Sequence, residues 1–100
     1  MKIAVASDGL DVSNHFQGCT NFNYYEAENG SLISSRNIPS QPSSIISKIS
    51  FLQQIGVTIL ICGIISTAEA TRIQNAGITV VSGASGRAIQ AATNYLEHTQ

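Results

Sequence analysis

The sequence predicts an α/β fold, a three-layer α/β/α sandwich built on a mixed five-stranded sheet. Three observations lead there: strand-like runs come first, an Asn-Gly pair joins the second and third of them, and two successive helix-then-strand units follow. A chain of 100 residues with 43% hydrophobic content has the size and composition of one domain, residues 1–100, closing over its own core.

Residues 2–7 (KIAVAS) are a short β-branched run, and the Gly- and polar-rich stretch 8–20 after them reads as a long loop. Residues 22–27 and 31–38 flank Glu28-Asn29-Gly30. Asn-Gly favours the left-handed backbone of a tight hairpin, so strands two and three form an antiparallel pair. Pro39-Ser40-Gln41-Pro42 breaks the chain, and Ser43 or Ser44 then caps a helix whose Ile45, Ile49, Leu52 and Ile55 keep helical spacing until Gly56 ends it.

The nearly continuous apolar run 57–62 reads as a central parallel strand covered on both faces. A second helix over 67–76 carries Glu69 in its first turn and Arg72 three residues on, with Gly77 as its left-handed cap. Strand five is 78–82, and a last helix starting near Ser85 places Ala88, Ile89, Ala92, Tyr95 and Leu96 on one face. Residues 56–63 are echoed by 77–83, each preceded by a helix; the echo occurs once, which indicates two successive units and not a solenoid. Right-handed crossovers then give the strand order 3-2-1-4-5 with strand two antiparallel, a sheet of the ribonuclease-H-like type. Its exposed edge strand three can pair with another copy, so a monomer or weak homodimer is expected.

Five Lys and Arg against six Asp and Glu, with the basic residues scattered, argue against nucleic-acid binding. The opening apolar stretch is too short for an export signal, and the longest apolar run, 59–65, is far shorter than the roughly 20 residues of a membrane span. No membrane association is expected, and the expected location is cytoplasmic. Cys19 and Cys62 are too few and too far apart for a disulfide scaffold or a C-x-x-C pair.

In this topology three segments meet at the edge where the parallel strands end, the usual ligand edge of open α/β sheets. They are 7–19, 62–66 and 82–86. Gly83-Ala84-Ser85-Gly86, before a helix, suits a phosphate, carboxylate or anionic cluster, although a tight strand-to-helix turn explains it equally well. His15 and Cys19, four apart, can join Cys62 in offering one nitrogen and two sulfurs to a soft metal. The competing reading has His15 hydrogen-bonded within a loop and Cys62 packed as a small apolar residue. Asp8 ends strand one as a phosphoryl-transfer carboxylate would, but its partners are missing, so a turn role is expected. His98 falls in the last turn of the final helix, where a cation complements the dipole. No acid–base pair or activated nucleophile is visible, so no enzyme is expected.

Nearly the whole chain resembles the dinitrogenase iron–molybdenum cofactor biosynthesis family, the nitrogenase accessory-factor group. The resemblance rests on the opening KIAVASDG, on Val12-Ser13-Asn14-His15-Phe16 with Phe22 and Tyr25, and on the Asn29-Gly30 hairpin. Ile61-Cys62-Gly63, Ala76-Gly77-Ile78 and Gly83-Ala84-Ser85-Gly86 complete it. It implies a non-enzymatic protein that binds or carries an iron–sulfur or molybdenum-containing cluster, or its precursor, and passes it to an acceptor protein. By position it makes His15 the loop histidine and Gly63, Gly83 and Gly86 the site glycines, with Ser85 in the same turn. The chain departs from the pattern at Gln17-Gly18, where the family places Gly and a basic residue, and at Ile65-Ser66, where it tends to place another Gly. The alternative is a metal-free small-anion or nucleotide-sensing module using the same glycine turns.

Overall fold

In a computed structural model, which describes residues 1–40 and 44–98, strand β1 (Lys2–Asp8) runs through the middle of the sheet. Its alternation explains why. Ile3 and Val5 face one layer and Ala4 and Ala6 the other, and none of the four retains exposed surface. β2 (Asp11–Val12) folds straight back on β1, pairing Ser7 with Val12. β3 (Asn21–Glu28) and β4 (Ser31–Pro39) follow as a hairpin, with Asn29 at φ 54° and Gly30 at φ 79°, both left-handed as the Asn-Gly pair predicts.

Ser44 caps α1 (Ile45–Gln54) by accepting from the Ser47 amide; the alternative cap Ser43, with Gln41 and Pro42, lies outside the described residues. β5 (Ile59–Ile61), α2 (Thr67–Asn75), β6 (Thr79–Val81) and α3 (Ala88–His98) complete the chain. The sheet order is β4-β3-β1-β5-β6, with β1, β5 and β6 parallel and β3 antiparallel to β1, which is the expected order once β2 is set aside. Leu52 of α1 and Ile73 of α2 join Ala4, Phe22 and Leu60 on one face. Ala88, Ala92 and Leu96 of α3 join Ile3, Tyr25 and Ile61 on the other.

Several expectations need correction. The stretch 8–20 is not all loop: β2 pairs with β1, and Val12 also donates to the Gly86 carbonyl (2.8 Å) and Ala88 to that of Leu10 (2.9 Å), partners some 75 residues away. Those bonds, with Gly86 held at φ 85°, also delay the last helix to Ala88. Starting there, α3 buries the narrow stripe Ala88, Ala92, Leu96 at four-residue spacing, flanked by Ala91 and Tyr95. Ile89 therefore falls off the buried face and is 56% exposed. β5 and β6 are shorter than the apolar runs 57–62 and 78–82 that announce them, three residues each. Among the described residues no helix is long and apolar enough to cross a membrane.

Candidate functional site

The segment between β2 and β3 is pinned to the rest of the molecule from below. Phe16 has no exposed surface and sits in the core with Phe22, their ring centres 6.5 Å apart and tilted by 52°. Lys48, from α1, holds the same segment: its Nζ donates to the Gln17 carbonyl (3.1 Å) and lies 5.2 Å from the Phe16 ring centre. A cation thus reaches this loop from another element, where the family resemblance would place one just after His-Phe.

A second set of bonds joins the loop to the turn after β5. Ile64 donates its amide to the Asn14 carbonyl (2.7 Å), and Phe16 donates to the Ile64 carbonyl (2.9 Å), so His15 pairs with Ile64 as one more rung of parallel sheet. Gly63 allows this approach. A Cβ on it would stand 2.4 Å from the Ser13 carbonyl oxygen and 2.7 Å from that of Asn14, both backbone atoms. Gly63 is thereby assigned a packing role, and its absent side chain is what lets the His15 loop dock.

Docking leaves an open cleft of about 520 Å³ lined by His15, Gln17, Gly18, Ile64, Ile65, Ser66 and Glu69. Ser66 and Glu69 are fixed by a reciprocal cap on α2: the Ser66 hydroxyl accepts from the Glu69 amide (3.1 Å) and donates to Glu69 Oε1 (3.0 Å). His15 and Ile64 are exposed on its rim. The cleft therefore offers one imidazole, one carboxylate and an apolar wall.

The thiols lie elsewhere. Cys19 (7% exposed) and Cys62 (0%) are free and buried in the core with Phe16, Leu52 and Ile73. Among the described residues no three His, Cys, Asp or Glu side chains gather as a group able to hold a metal ion, so the expected set of His15, Cys19 and Cys62 is not assembled. The reason is facing. Cys62 continues the inward face of β5 defined by Leu60, whereas His15 stands outside the loop whose Phe16 points in.

Burial pushes the Cys62 thiol up to about 11, helped by the neighbouring Cys19 and by Glu69. Burial also raises Cys19, against the opposing pull of Lys48. Between about pH 9 and pH 11 the unfolded chain releases a Cys62 proton that the folded chain keeps. Stability must fall across that window and be unaffected by this group below it. Denaturation midpoints should decline less steeply over it in Cys62→Ala than in the native chain.

The glycine turn after β6 is largely occupied by its own backbone. Gly83 (φ 78°) donates to the Gly63 carbonyl (2.9 Å) and Ala84 to that of Cys62 (3.0 Å). Of the expected anion cradle, only the outer half at Ser85 and Gly86 remains open, beside a shallower cleft of about 350 Å³ that Ser85 shares with Tyr95 and His98. His98 turns its Nδ1 to the Asn94 carbonyl (2.7 Å) at the exposed end of α3. Asp8 accepts the Thr20 amide (3.1 Å), twelve residues on, and so ties the end of β1 to the start of β3 rather than closing a local turn.

Sequence reasoning placed Ile64 in the converging segment 62–66 but overlooked Glu69 and Lys48 as parts of this region. Ser66-Thr-Ala-Glu69 carries the capping-box spacing and was the one legible signal among them. Lys48 and Ile64 reach the loop through tertiary contacts.

A family model described as dinitrogenase iron–molybdenum cofactor matches residues 1–98. The chain belongs to that family. Solved structures agree with its fold. The crystal structure of PH0822 superimposes with a TM-score of 0.90 at 19% identity, covering 98% of this chain and 90% of that one. The MJ0327 protein of Methanocaldococcus jannaschii gives 0.76 at 22% identity, with 98% and 89% covered. The apo form of the orange protein (ORP) from Desulfovibrio gigas gives 0.81 at 25% identity, with 97% and 88% covered. No curated protein matches the chain significantly.

Proposed function

We propose that this member of the dinitrogenase iron–molybdenum cofactor family is a non-enzymatic carrier of an iron–sulfur or molybdenum-containing cluster, or of its precursor. In this reading the cargo seats in the cleft between the His15 loop and the Ile64–Glu69 turn, and an acceptor protein receives it there. The observation that carries the reading is the docking of the loop on Ile64, which sets His15 beside Glu69's cleft at the ligand edge of a ribonuclease-H-like sheet. An imidazole and a carboxylate suit iron, and the remaining ligands are the sulfides that the cluster brings with it. The buried, protonated thiols are poor ligands as long as the core stays closed, because a metal takes the thiolate.

The structure of the orange protein is described as its apo form, which supports reading that relative as one that can hold a further group, and this chain by likeness. The metal-free anion reading is weakened here, because the Gly83 and Ala84 amides it requires already have backbone partners.

Anaerobic incubation with ferrous iron and sulfide, followed by desalting, metal analysis and a visible spectrum, tests the proposal. The native chain should retain metal and a charge-transfer band, His15→Ala should lose most of both, and Cys19→Ser with Cys62→Ser should keep them. A native chain left colourless and metal-free, with iron or with tetrathiomolybdate in its place, overturns the carrier reading.

A further inference from the structure

On the α3 side of the sheet, away from the His15 cleft, the apolar face gives way to four hydrogen-bonding side chains. Asn23 and Tyr25 project to that side from β3, and the hairpin register sets Asn37 opposite Asn23 and Ser35 opposite Tyr25. They form a two-by-two array, since residues two apart on a strand share a face. The array floors a cleft of about 600 Å³ whose walls include Leu10 and Ile89, 63% and 56% exposed. That volume is typical of small-molecule sites.

Two of the four are nearly buried yet incompletely satisfied. Tyr25 is 5% exposed and its hydroxyl has no hydrogen-bond partner among the described residues. Asn23, also 5% exposed, gives both amide protons away, to Ser7 Oγ (2.9 Å) and the Gly9 carbonyl (2.9 Å), which leaves its Oδ1 without a donor. Every fully enclosed side-chain nitrogen or oxygen among the described residues has a partner, so these two atoms are ones that open onto the cleft. A complementary ligand seated in the cleft can partner both atoms in place of water.

Two arginines, Arg36 and Arg87, line the cleft, one of them offset by a carboxylate. Arg36 lies opposite Tyr24 on the other face of the hairpin, where its charge acts on the Tyr24 phenol, so it borders the cleft without facing the array. Arg87 stands 3.7 Å from the Asp11 carboxylate at the rim, both about two-thirds exposed. With donors and acceptors below, aliphatic walls at the sides and arginines only at the border, we infer that this cleft binds a heteroaromatic molecule of nucleobase or nucleoside size. The ligand donates a hydrogen bond to Asn23 Oδ1, exchanges others with Tyr25, Ser35 and Asn37, and packs its ring against Leu10 and Ile89.

Titrating the ¹⁵N-labelled chain with adenosine, guanosine, cytidine and uridine, each to millimolar concentration, tests this. At least one should produce saturable shifts confined to the amides around 10, 23–25, 35–37 and 87–89. Tyr25→Phe, which removes only an unpartnered hydroxyl, should keep the native melting temperature while weakening binding about tenfold or more, and Asn37→Ala should do the same. No saturable shift with any nucleoside, or affinities unchanged in both variants, overturns the inference. So does equal binding of inorganic phosphate at these residues, which would make the site an anion site.

Discussion

Gly63→Ala is expected to destabilise the protein by about 3 kcal/mol, the upper part of the usual range for overpacking, and to detach the His15 loop. The added methyl would meet the Ser13 and Asn14 carbonyl oxygens at 2.4 and 2.7 Å, and neither is the end of a flexible side chain. Relief requires the backbone of 13–14 to withdraw. That breaks the bonds from Ile64 to Asn14 and from Phe16 to Ile64. Urea denaturation measures the first effect, and faster hydrogen exchange at the Ile64 and Phe16 amides measures the second. Stability and exchange both unchanged would mean that Gly63 does not hold the loop's seat.

Phe16→Ala should cost more, about 3–5 kcal/mol, as expected for an aromatic ring with no exposed surface. The loss has two parts. The core of Phe22, Leu52 and Cys62 gains a cavity, and Lys48 loses the ring beneath its ammonium while keeping only the Gln17 carbonyl. The loop is thus anchored twice, by a side chain inside and by backbone bonds at its rim. Phe16→Leu, which refills much of the volume, should recover over half of the stability in the same denaturation series.

The parts of this structure that were legible in the sequence are those fixed by local rules. Asn29-Gly30 adopts the two left-handed conformations that a two-residue hairpin requires, and Gly56 and Gly77, at φ 80° and 88°, end their helices as expected. The fully buried β5 shows as an unbroken apolar run, and the strand order follows from crossover handedness. Features that depend on distant contacts were not legible. β2 pairs with β1 and is held on its other side by the turn before α3, whose bonds also lie where α3 begins.

The candidate site divides along the same line. His15 and the three converging segments were legible from motif and topology, and the structure joins all three by backbone hydrogen bonds. The thiols were misplaced because a cysteine's spacing in the chain does not say whether it faces a cleft or a core. β5 presents Cys62 inward, and the loop return buries Cys19 against Phe16. Gly63 was picked out as a glycine beside a ligand, whereas its neighbours are carbonyls of its own chain.

The seat of the cargo in the cleft beside His15 is tested most directly by amide spectra of the ¹⁵N-labelled protein before and after anaerobic loading with ferrous iron and sulfide. The account predicts that resonances of 13–18 and 63–69 shift or broaden, while those of 28–36 at the far end of the hairpin stay in place. Changes centred away from 13–18 and 63–69, or none despite bound iron, would contradict it.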